Sequence, residues 1–455
     1  MSTQENKMGV MSINKLLFSM SLPMMISMLV QALYNIVDSI FVAQLSENAL
    51  TAVSLAFPLQ QLMISVGTGT GVGINALLSR YLGAKKFDKA NKVANCGVFL
   101  SFLSFVVFLI IGLFATKPYF NFQTNNPEIL SDGISYLTIC TVASLGLFGQ
   151  ITSERLLTST GKTHLSMYTQ LTGAITNIIL DPILIFGYFG FPKLGTIGAA
   201  LATVCGQWVA CIIGFMLNFK FNHEIKINKS CIKPDLSIIG KIYAIGVPSI
   251  VMTSITSVLT FLLNKILIAL TATATAVFGA YFKLQSFVFM PIFGLNNGMV
   301  PIIAYNYGAK KPDRIKSTIK LSLSCSVSIM LVGLFIMQVF PKTMLGFFNP
   351  SENMLTIGVP ALRTISLSFI FAGVSVISCS VFQALGKSIT SMMVSIIRQI
   401  VVLLPLAYLF SLAGDVNLVW WAYPIAEGVS VVICIVMMIH INKNLINKLG
   451  KEQNV

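Results

Sequence analysis

The chain has 455 residues, of which 55% are hydrophobic and only 10% are charged, and its formal net charge is +15. Its mean hydropathy of +0.83 is higher than a protein with a polar exterior reaches, so the composition excludes a water-soluble enzyme or binding protein. We therefore predict an all-α integral membrane protein without a large soluble domain.

Twelve stretches are long and apolar enough to cross a hydrocarbon layer of about 30 Å as helices. In chain order, the predicted spans are 16–43, 51–79, 93–115, 133–157, 164–187, 195–219, 240–268, 276–304, 316–340, 358–384, 389–413 and 417–442. An N-terminal tail (1–15), a linker (220–239) and a C-terminal tail (443–455) remain. The first tail is polar and has no small-residue cleavage site, so we expect no removable signal peptide.

Basic residues predict the orientation of the spans. An even number of spans places both termini on one side, and 23 of the 30 Lys and Arg residues fall on that side, against Lys117, Lys193 and Lys342 opposite. Short loops rich in Lys and Arg stay in the cytoplasm. Both termini are therefore predicted to be cytoplasmic, and anionic lipid accounts for the net charge without a nucleic-acid partner.

The chain also contains an internal repeat. The segment SRYLGAKKFDK at 79–89 returns as AYNYGAKKPDR at 304–314. The offset from position 79 to position 304, called the repeat displacement below, also relates further pairs: Pro23 and Pro248, Gly73 and Gly298, and STGKT at 159–163 and ALGKS at 384–388. The repeat divides the chain into two lobes of six spans.

These lobes are predicted to cover residues 16–219 (the N-lobe) and 240–442 (the C-lobe). Because six is even, both lobes enter the membrane in the same direction, and a pseudo-two-fold axis along the membrane normal is expected to relate them. Such a pair favours alternating access around a path between the lobes over a static scaffold.

Two aspartates lie within otherwise apolar spans. No Lys or Arg lies within twenty residues of Asp38, and a carboxylate in hydrocarbon costs roughly 2.5–3.5 kcal/mol on insertion scales. Asp38 in span 1 and Asp181 in span 5 share a depth of about 8–9 Å below the outer surface, at 1.5 Å per residue. Asn35 and Asn177 precede these aspartates by three and four residues, so each amide shares a helix face with its acid.

This group of oxygens suits either of two cations. An oxygen-rich cage would hold Na⁺, with Asp38, Asp181 and Asn177 as its ligands, whereas two neighbouring carboxyl groups that resist double ionisation would hold H⁺. There are also structural alternatives. Asp38 could be a buried acid satisfied by Asn35 and Ser39, and Asp181 could serve backbone groups that the following proline frees.

Other polar or flexible residues in spans are candidates for a substrate path. Glu154, with Gln150 one turn before it, ends span 4 beside Arg155, where an acid paired with a base can be purely structural. Met24 and Met28 recur at helical spacing in span 1, where thioethers suit an adaptable pocket but also pack against helices or lipid.

The remaining charged residues and the cysteines show no catalytic or metal-binding motif. Lys283, Arg398 and Glu427 lie within C-lobe spans, where they could pair with each other or contact substrate. Eight cysteines are scattered singly, without metal-ligand spacing. No nucleophile with its base and no phosphate loop is recognisable, so we predict neither an enzyme, a cofactor nor a structural metal.

The motifs together resemble those of one family. YNIVDSIFVA in span 1, GAKK after the second span of each lobe, NIILDPILIFG in span 5 and GTIGAALAT opening span 6 are similar to those of multidrug and toxic compound extrusion (MATE) transporters. The resemblance covers essentially all of residues 15–442. It implies a cation-coupled antiporter, which exports amphipathic, often cationic drugs and dyes in exchange for H⁺ or Na⁺. We expect the protein to be a monomer in the plasma membrane.

The resemblance also implies roles for particular residues. It places the ion site at Asp38 and Asp181, with Asn177 and Thr203 as companion ligands, whereas Asn35 is our addition from helical spacing. Some branches of the family carry another acid in span 7 or span 10. No acid stands in either span here, which favours the branch with its ion site in the N-lobe.

A bend is expected at Pro23, about four turns before Asp38, because proline cannot donate to the helix ladder. In the family this bend is implicated in gating. Pro248 occupies the matching place in span 7, so a shared packing kink without a switching role is the alternative.

One alternative function remains at this stage. Related many-helix folds flip lipid-linked oligosaccharides or polysaccharides, and a strongly cationic central cavity would favour that cargo. Four basic residues lie within C-lobe spans, namely Lys265, Lys283, Arg363 and Arg398. The flippase interpretation therefore stays open beside drug efflux.

Overall fold

The computed structural model describes residues 6–227, 234–348 and 350–451, and all regular elements in these residues are helices. The first half contains α1 (Lys7–Val10), α2 (Ile13–Ala43), α3 (Glu47–Gly83), α4 (Phe87–Phe114), α5 (Thr116–Gln123), α6 (Pro127–Val142), α7 (Leu145–Ser159), α8 (Thr163–Phe186) and α9 (Thr196–Phe221). The second half contains α10 (Leu236–Leu270), α11 (Ala272–Gly308), α12 (Pro312–Val339), α13 (Pro341–Gly346), α14 (Glu352–Ser366), α15 (Phe369–Ala384), α16 (Ser388–Ile396), α17 (Leu404–Ser411), α18 (Val416–Val419), α19 (Ala422–Ile441) and α20 (Asn447–Lys451). A 3₁₀ turn covers Tyr188–Gly190, and π-helical turns cover Ile397–Leu403 and Asn442–Ile446.

The predicted fold class is confirmed. In the part of the chain that the structure describes, ten helical stretches are long and apolar enough to span a membrane, and two bent pairs, α6 with α7 and α14 with α15, bring the number to twelve. The pairs bend by 45° and 48°, which the sequence analysis did not predict. At both breaks hydroxyl side chains bond to carbonyl groups three or four residues earlier, as Thr141 Oγ1 does to Leu137 O and Ser368 Oγ to Ile365 O, a pattern that bends helices.

The internal repeat holds at the level of helix bounds. Glu47–Gly83 and Ala272–Gly308 are both 37 residues long, and each helix of the second pair, Phe87–Phe114 and Pro312–Val339, has 28 residues. In both pairs, the first residues of the two helices are separated by the repeat displacement. Positions in the two halves therefore correspond by one constant offset through these elements.

The helices pack into two compact units that differ from the predicted lobe bounds. Residues 26–250 form one unit, called the first unit below. Residues up to Met25, together with residues from Val251 onward, form the other, called the second unit. The first part of α2 thus packs with the second-half helices, and the first part of α10 with the first-half helices. The lobes predicted at 16–219 and 240–442 follow the sequence halves that the internal repeat defines, whereas the compact units follow packing contacts between helices.

The first parts of α2 and α10 thus exchange places between the two halves, and glycines allow the close helix contacts that this exchange needs. In the first unit, a Cβ atom at Gly69 would lie 2.8 Å from the backbone nitrogen of Ile250 on α10. In the second unit, Gly294 of α11 corresponds to Gly69 by the repeat displacement, and a Cβ atom there would overlap the backbone of Met25 on α2. Side chains longer than hydrogen would separate these helices. The exchange therefore depends on small residues at matching positions in the two halves.

Within the second unit, hydrogen bonds join the N-terminal segment to α11, α12 and the loop between them. Arg314 Nη2 donates to Met8 O at 3.0 Å and to Met11 O at 2.7 Å. Lys311 Nζ donates to Gly9 O at 2.9 Å, and Asn306 Nδ2 to Met8 O at 3.0 Å. These donors belong to the second copy of the repeated loop, AYNYGAKKPDR, so the sequence repeat and the start of the chain meet here.

We expect Arg314→Gln to lower the melting midpoint of the purified protein by a few degrees. The substitution removes charge-assisted hydrogen bonds from a partly exposed site, a loss of about 1–2 kcal/mol. Lys316→Gln, an exposed position in the same helix, is the matched control. Equal melting midpoints for the two variants would show that Arg314 does not fasten the segment.

Candidate functional site

The two predicted aspartates meet inside the first unit. Asp38 is carried by α2 and Asp181 by α8, and their carboxyl groups lie within electrostatic and hydrogen-bonding reach of each other. Asp181 is fully buried and Asp38 is half-buried. Two ionised carboxylates this close repel each other strongly in a buried site. A proton or another cation between the oxygens would remove this repulsion.

Two further predicted residues join the pair. Asn177, one turn before Asp181 on α8, is buried, and its Nδ2 lies 3.5 Å from Asp181 Oδ1. The same amide nitrogen lies 3.4 Å from Thr203 Oγ1 on α9. The structure thus brings Asp38, Asp181, Asn177 and Thr203 together. Both amide contacts are at the long limit for hydrogen bonds.

Unpartnered oxygens show what the site can bind. Asp38 Oδ1, Asp181 Oδ2 and Asn177 Oδ1 are buried and accept no hydrogen bond from the described residues. Buried acceptors without donors are costly and need an explanation. Oxygen atoms are the ligands of hard cations, and a carboxyl oxygen also takes a proton. The donor set therefore fits a small hard cation as well as it fits H⁺.

Asn35 is not brought to this group. Its side chain is exposed, and its backbone carbonyl accepts a hydrogen bond from Ser39 Oγ at 2.8 Å. Three residues along a helix leave the two side chains about 60° apart, at 100° per residue. That bond also occupies the Ser39 hydroxyl, so the structure does not favour an Asp38 satisfied by its own helix.

Aromatic and amide side chains that no sequence pattern marks lie beside the pair. Tyr136 on α6 is buried, receives a hydrogen bond from Gln60 Nε2 at 3.3 Å, and lies within electrostatic reach of both aspartates. Tyr34, one turn before Asp38, is also within reach of both. A tyrosine in an apolar span reads as core, so no sequence signal marks these residues. They are recognised only by what they face.

Glu154 forms a second buried acid in the same unit. Gln150 Nε2 donates to Glu154 Oε1 at 2.9 Å, and Gln170 Nε2 to Glu154 Oε2 at 2.7 Å. Only 6% of Glu154 is exposed. Gln170 shares α8 with Asn177 and Asp181 at helical spacing. Tyr34 lies within electrostatic reach of Glu154 as well as of the aspartates, so one tyrosine neighbours both acidic groups.

The other predicted residues of span 1, Pro23, Met24 and Met28, lie on α2 and differ in burial. Pro23 lies within α2, which runs unbroken from Ile13 to Ala43. Met24 is 1% exposed, and Met28 is half-buried. Burial favours packing for Met24, one of the two interpretations that the sequence left open. Met28 is the better candidate for a surface that contacts substrate.

The charged residues of the second unit separate into two kinds. Arg398 Nη1 donates to Glu427 Oε1 at 3.0 Å, so these two residues pair with each other. Lys283 on α11 is exposed. Lys265 is also exposed, with its ammonium group 4.9 Å from the centre of the Phe261 ring. The structure therefore shows that Arg398 pairs with Glu427, whereas Lys283 is exposed and outside this pair.

A known family model matches the chain twice, once in each half. The MatE family model matches residues 23–183 and again residues 248–409. The two matches begin at Pro23 and Pro248, the prolines that the internal repeat relates. Each half of the chain therefore carries one copy of the family's repeat unit, and together the matches cover well over half of the chain.

Relatives and solved structures agree with this match. The multidrug export protein MepA of Staphylococcus haemolyticus is 28% identical, over 97% of this chain and 96% of its own. MepA of Staphylococcus aureus strain MRSA252 is 27% identical, over 91% of each chain. A solved structure described as the outward-facing conformation of a multidrug resistance MATE family transporter of the MOP superfamily is 25% identical, covers 99% of this chain and 100% of that one, and has a TM-score of 0.91. Because the family model matches both halves and the fold agrees over the whole length, the chain belongs to the MatE family and is a membrane transporter, not an enzyme.

Proposed function

We propose that this transporter exports amphipathic, cationic small molecules across the plasma membrane in exchange for H⁺, by alternating access, with its termini in the cytoplasm. The curated relatives are named multidrug export proteins, and their similarity over nearly the whole chain supports the same substrate class here. The positive-inside distribution supports the orientation. We also propose that the protein acts as a monomer with the bilayer as its surroundings.

The proximity of the Asp38 and Asp181 carboxyl groups, with buried oxygens on both, carries the coupling proposal. One proton shared between them removes the repulsion of two buried negative charges, and its release restores that repulsion. Asn177, on the same helix as Asp181, contacts its carboxyl group, and Thr203 on α9 contacts the Asn177 amide. The free energy of the first unit therefore depends on whether the pair is protonated, which is what an antiporter needs from its ion site.

For an uncharged solute the membrane potential alone supplies enough energy for export, whereas the exchange of one H⁺ for one monovalent cation moves no net charge and is driven by the pH gradient. One positive charge that returns through about 100 mV releases roughly 2.3 kcal/mol, which corresponds to a nearly fifty-fold concentration gradient of an uncharged solute. A proton gradient adds to this value. No nucleotide site is then required for export.

Two observations bear on other functions. The three unpartnered oxygens of Asp38, Asp181 and Asn177 favour Na⁺ as the second candidate ion. Against a flippase for anionic lipid-linked sugars, Arg398 is neutralised by Glu427, and Arg363 Nε donates to Gln338 O at 3.3 Å. Half of the basic residues that favoured such cargo are thus engaged within their own unit.

Everted membrane vesicles that contain the transporter distinguish the two ions. We expect an imposed pH gradient to drive ethidium movement in the absence of Na⁺, because protonation of the acid pair suffices for the exchange. Vesicles with Asp38→Asn are the control and should show no gradient-driven movement. Transport driven by a Na⁺ gradient alone, with no response to the pH gradient, would overturn proton coupling.

A further inference from the structure

The second half contains no copy of the ion site of the first half. The repeat displacement pairs each polar residue of the first-half site with an apolar residue or glycine: Asp38 with Leu263, Asn177 with Val402, Asp181 with Leu406 and Thr203 with Gly428. The second half nevertheless contains a counterpart of α8, one of the helices that bear this site. Thr163–Phe186 corresponds end to end with the stretch Ser388–Ser411.

An ion pair occupies the corresponding place in the second half. Arg398 lies one turn before Val402 on the counterpart of α8, and Glu427 is adjacent to Gly428 on the counterpart of α9. The guanidinium and the carboxylate are 3.0 Å apart, and their side chains are only 20% and 12% exposed. Within the second unit, this pair therefore stands within one helical turn of the positions that correspond to Asn177 and Thr203.

The local helix geometry makes room for the arginine. In the first half the counterpart of Arg398 is Gly173, where a Cβ atom would lie 2.9 Å from Ala210 Cβ and 3.0 Å from Gly206 O. Those two helices are in close contact, and a long side chain would not fit between them. In the second half the helix forms a π-helical turn at Ile397–Leu403, which includes Arg398. Such turns insert a residue into the helical ladder and often occur at functional sites.

Among the described residues, the charged and titratable groups that face Glu427 are few. Arg398 faces it from the π-helical turn, Tyr281 from α11, Cys379 from α15, and Tyr423 from its own helix. Arg398 is the cation in this set. Glu427 Oε2 and Ser430 Oγ, one turn further on α19, are buried and accept no hydrogen bond from the described residues. Removal of Arg398 would therefore leave a buried anion and free oxygen ligands.

We propose that the Arg398 guanidinium is a built-in cation, which fills in the second half the place that corresponds to the coupling-ion site of the first half. The second unit then has its positive charge permanently in place and binds no coupling ion, so the ion dependence of transport arises from the first unit alone. The name of the first-half site rests on the proposed function, whereas the occupation of the second-half site by Arg398 does not.

The proposal is tested by replacing the guanidinium with a diffusible cation. Arg398→Ala is expected to lower the melting midpoint of the purified full-length protein, because it leaves a buried carboxylate without its partner. Millimolar methylguanidinium chloride should restore most of this loss, and NaCl should restore part of it. Arg398→Gln, which keeps more of the side-chain volume, is measured in parallel in case the alanine variant does not fold.

The matched control is the double variant Arg398→Ala/Glu427→Gln. It lacks the buried anion, so its melting midpoint should not respond to methylguanidinium or to Na⁺ beyond the response of the wild type. Arg363→Ala, which removes an arginine of the same unit outside the pair, should also show no such response. Ethidium efflux by Arg398→Ala should recover in methylguanidinium to the same extent as the melting midpoint.

Equal cation responses of the single and double variants would overturn the proposal, as would the absence of any response in both Arg398→Ala and Arg398→Gln. If Arg398 served only as a packing contact, neither variant would respond to cations, because a small soluble cation does not restore lost packing. All these variants keep Asp38 and Asp181. A failure of proton coupling at that pair would therefore not alter the comparison, and the two proposals can fail separately.

Discussion

Asp38→Asn is expected to abolish ethidium efflux while the protein remains in the membrane. The amide has nearly the shape of the carboxyl group, so packing around α2 is preserved, but it neither binds nor releases a proton. Asp181 would then face a permanently neutral neighbour. The repulsion between two ionised carboxylates, which depends on protonation of the pair, would be lost. Efflux from loaded cells and the amount of variant in the membrane fraction are the two measurements.

Asn35→Ala provides the matched control for this experiment. Asn35 lies on the same helix as Asp38, but its side chain is exposed and is not brought to Asp181. We expect this variant to retain efflux within about twofold of the wild type, because exposed substitutions away from a site cost little. Wild-type efflux by Asp38→Asn would reject the coupling role. Equal loss in both variants would assign the effect to the helix and not to the acid pair.

Gly294→Val is expected to prevent accumulation of correctly folded protein. A Cβ atom at this position would lie 2.8 Å from the carbonyl carbon of Met24 and would overlap the backbone of Met25. Backbone atoms cannot move aside as the end of a flexible side chain can, so we expect a cost of about 3 kcal/mol or more, at the upper end for overpacking. The yield of monodisperse protein in detergent and its melting midpoint measure the effect.

Gly279→Ala in the same helix separates this packing effect from helix propensity. No atom lies within 4 Å of a Cβ atom placed there, and alanine in a helix interior is favoured over glycine by about 1 kcal/mol. The variant should therefore be at least as stable as the wild type. A folded, stable Gly294→Val protein would show that α2 and α11 do not pack closely at Met25.

Local patterns determined much of this protein. Run length and hydropathy predicted the twelve spans, because hydrocarbon thickness fixes the length of a helix that crosses it. The repeat at 79–89 and 304–314 predicted two related halves, and its displacement relates the bounds of α3 to those of α11 and the bounds of α4 to those of α12. Asn177 and Asp181 were paired correctly by their spacing, since residues four apart share a helix face.

Tertiary structure decided which of these faces meet. The contact between Asp38 and Asp181, the pairing of Arg398 with Glu427, and the places of Tyr136 and Gln60 each join residues from different helices. Hydropathy is a property of neighbouring residues and contains no record of helix rotation or of the partner helix. The sequence alone therefore determined how many helices span the membrane and which acids they carry. Only packing, through glycines such as Gly69 and Gly294, decided that the first parts of α2 and α10 belong to the unit of the opposite half.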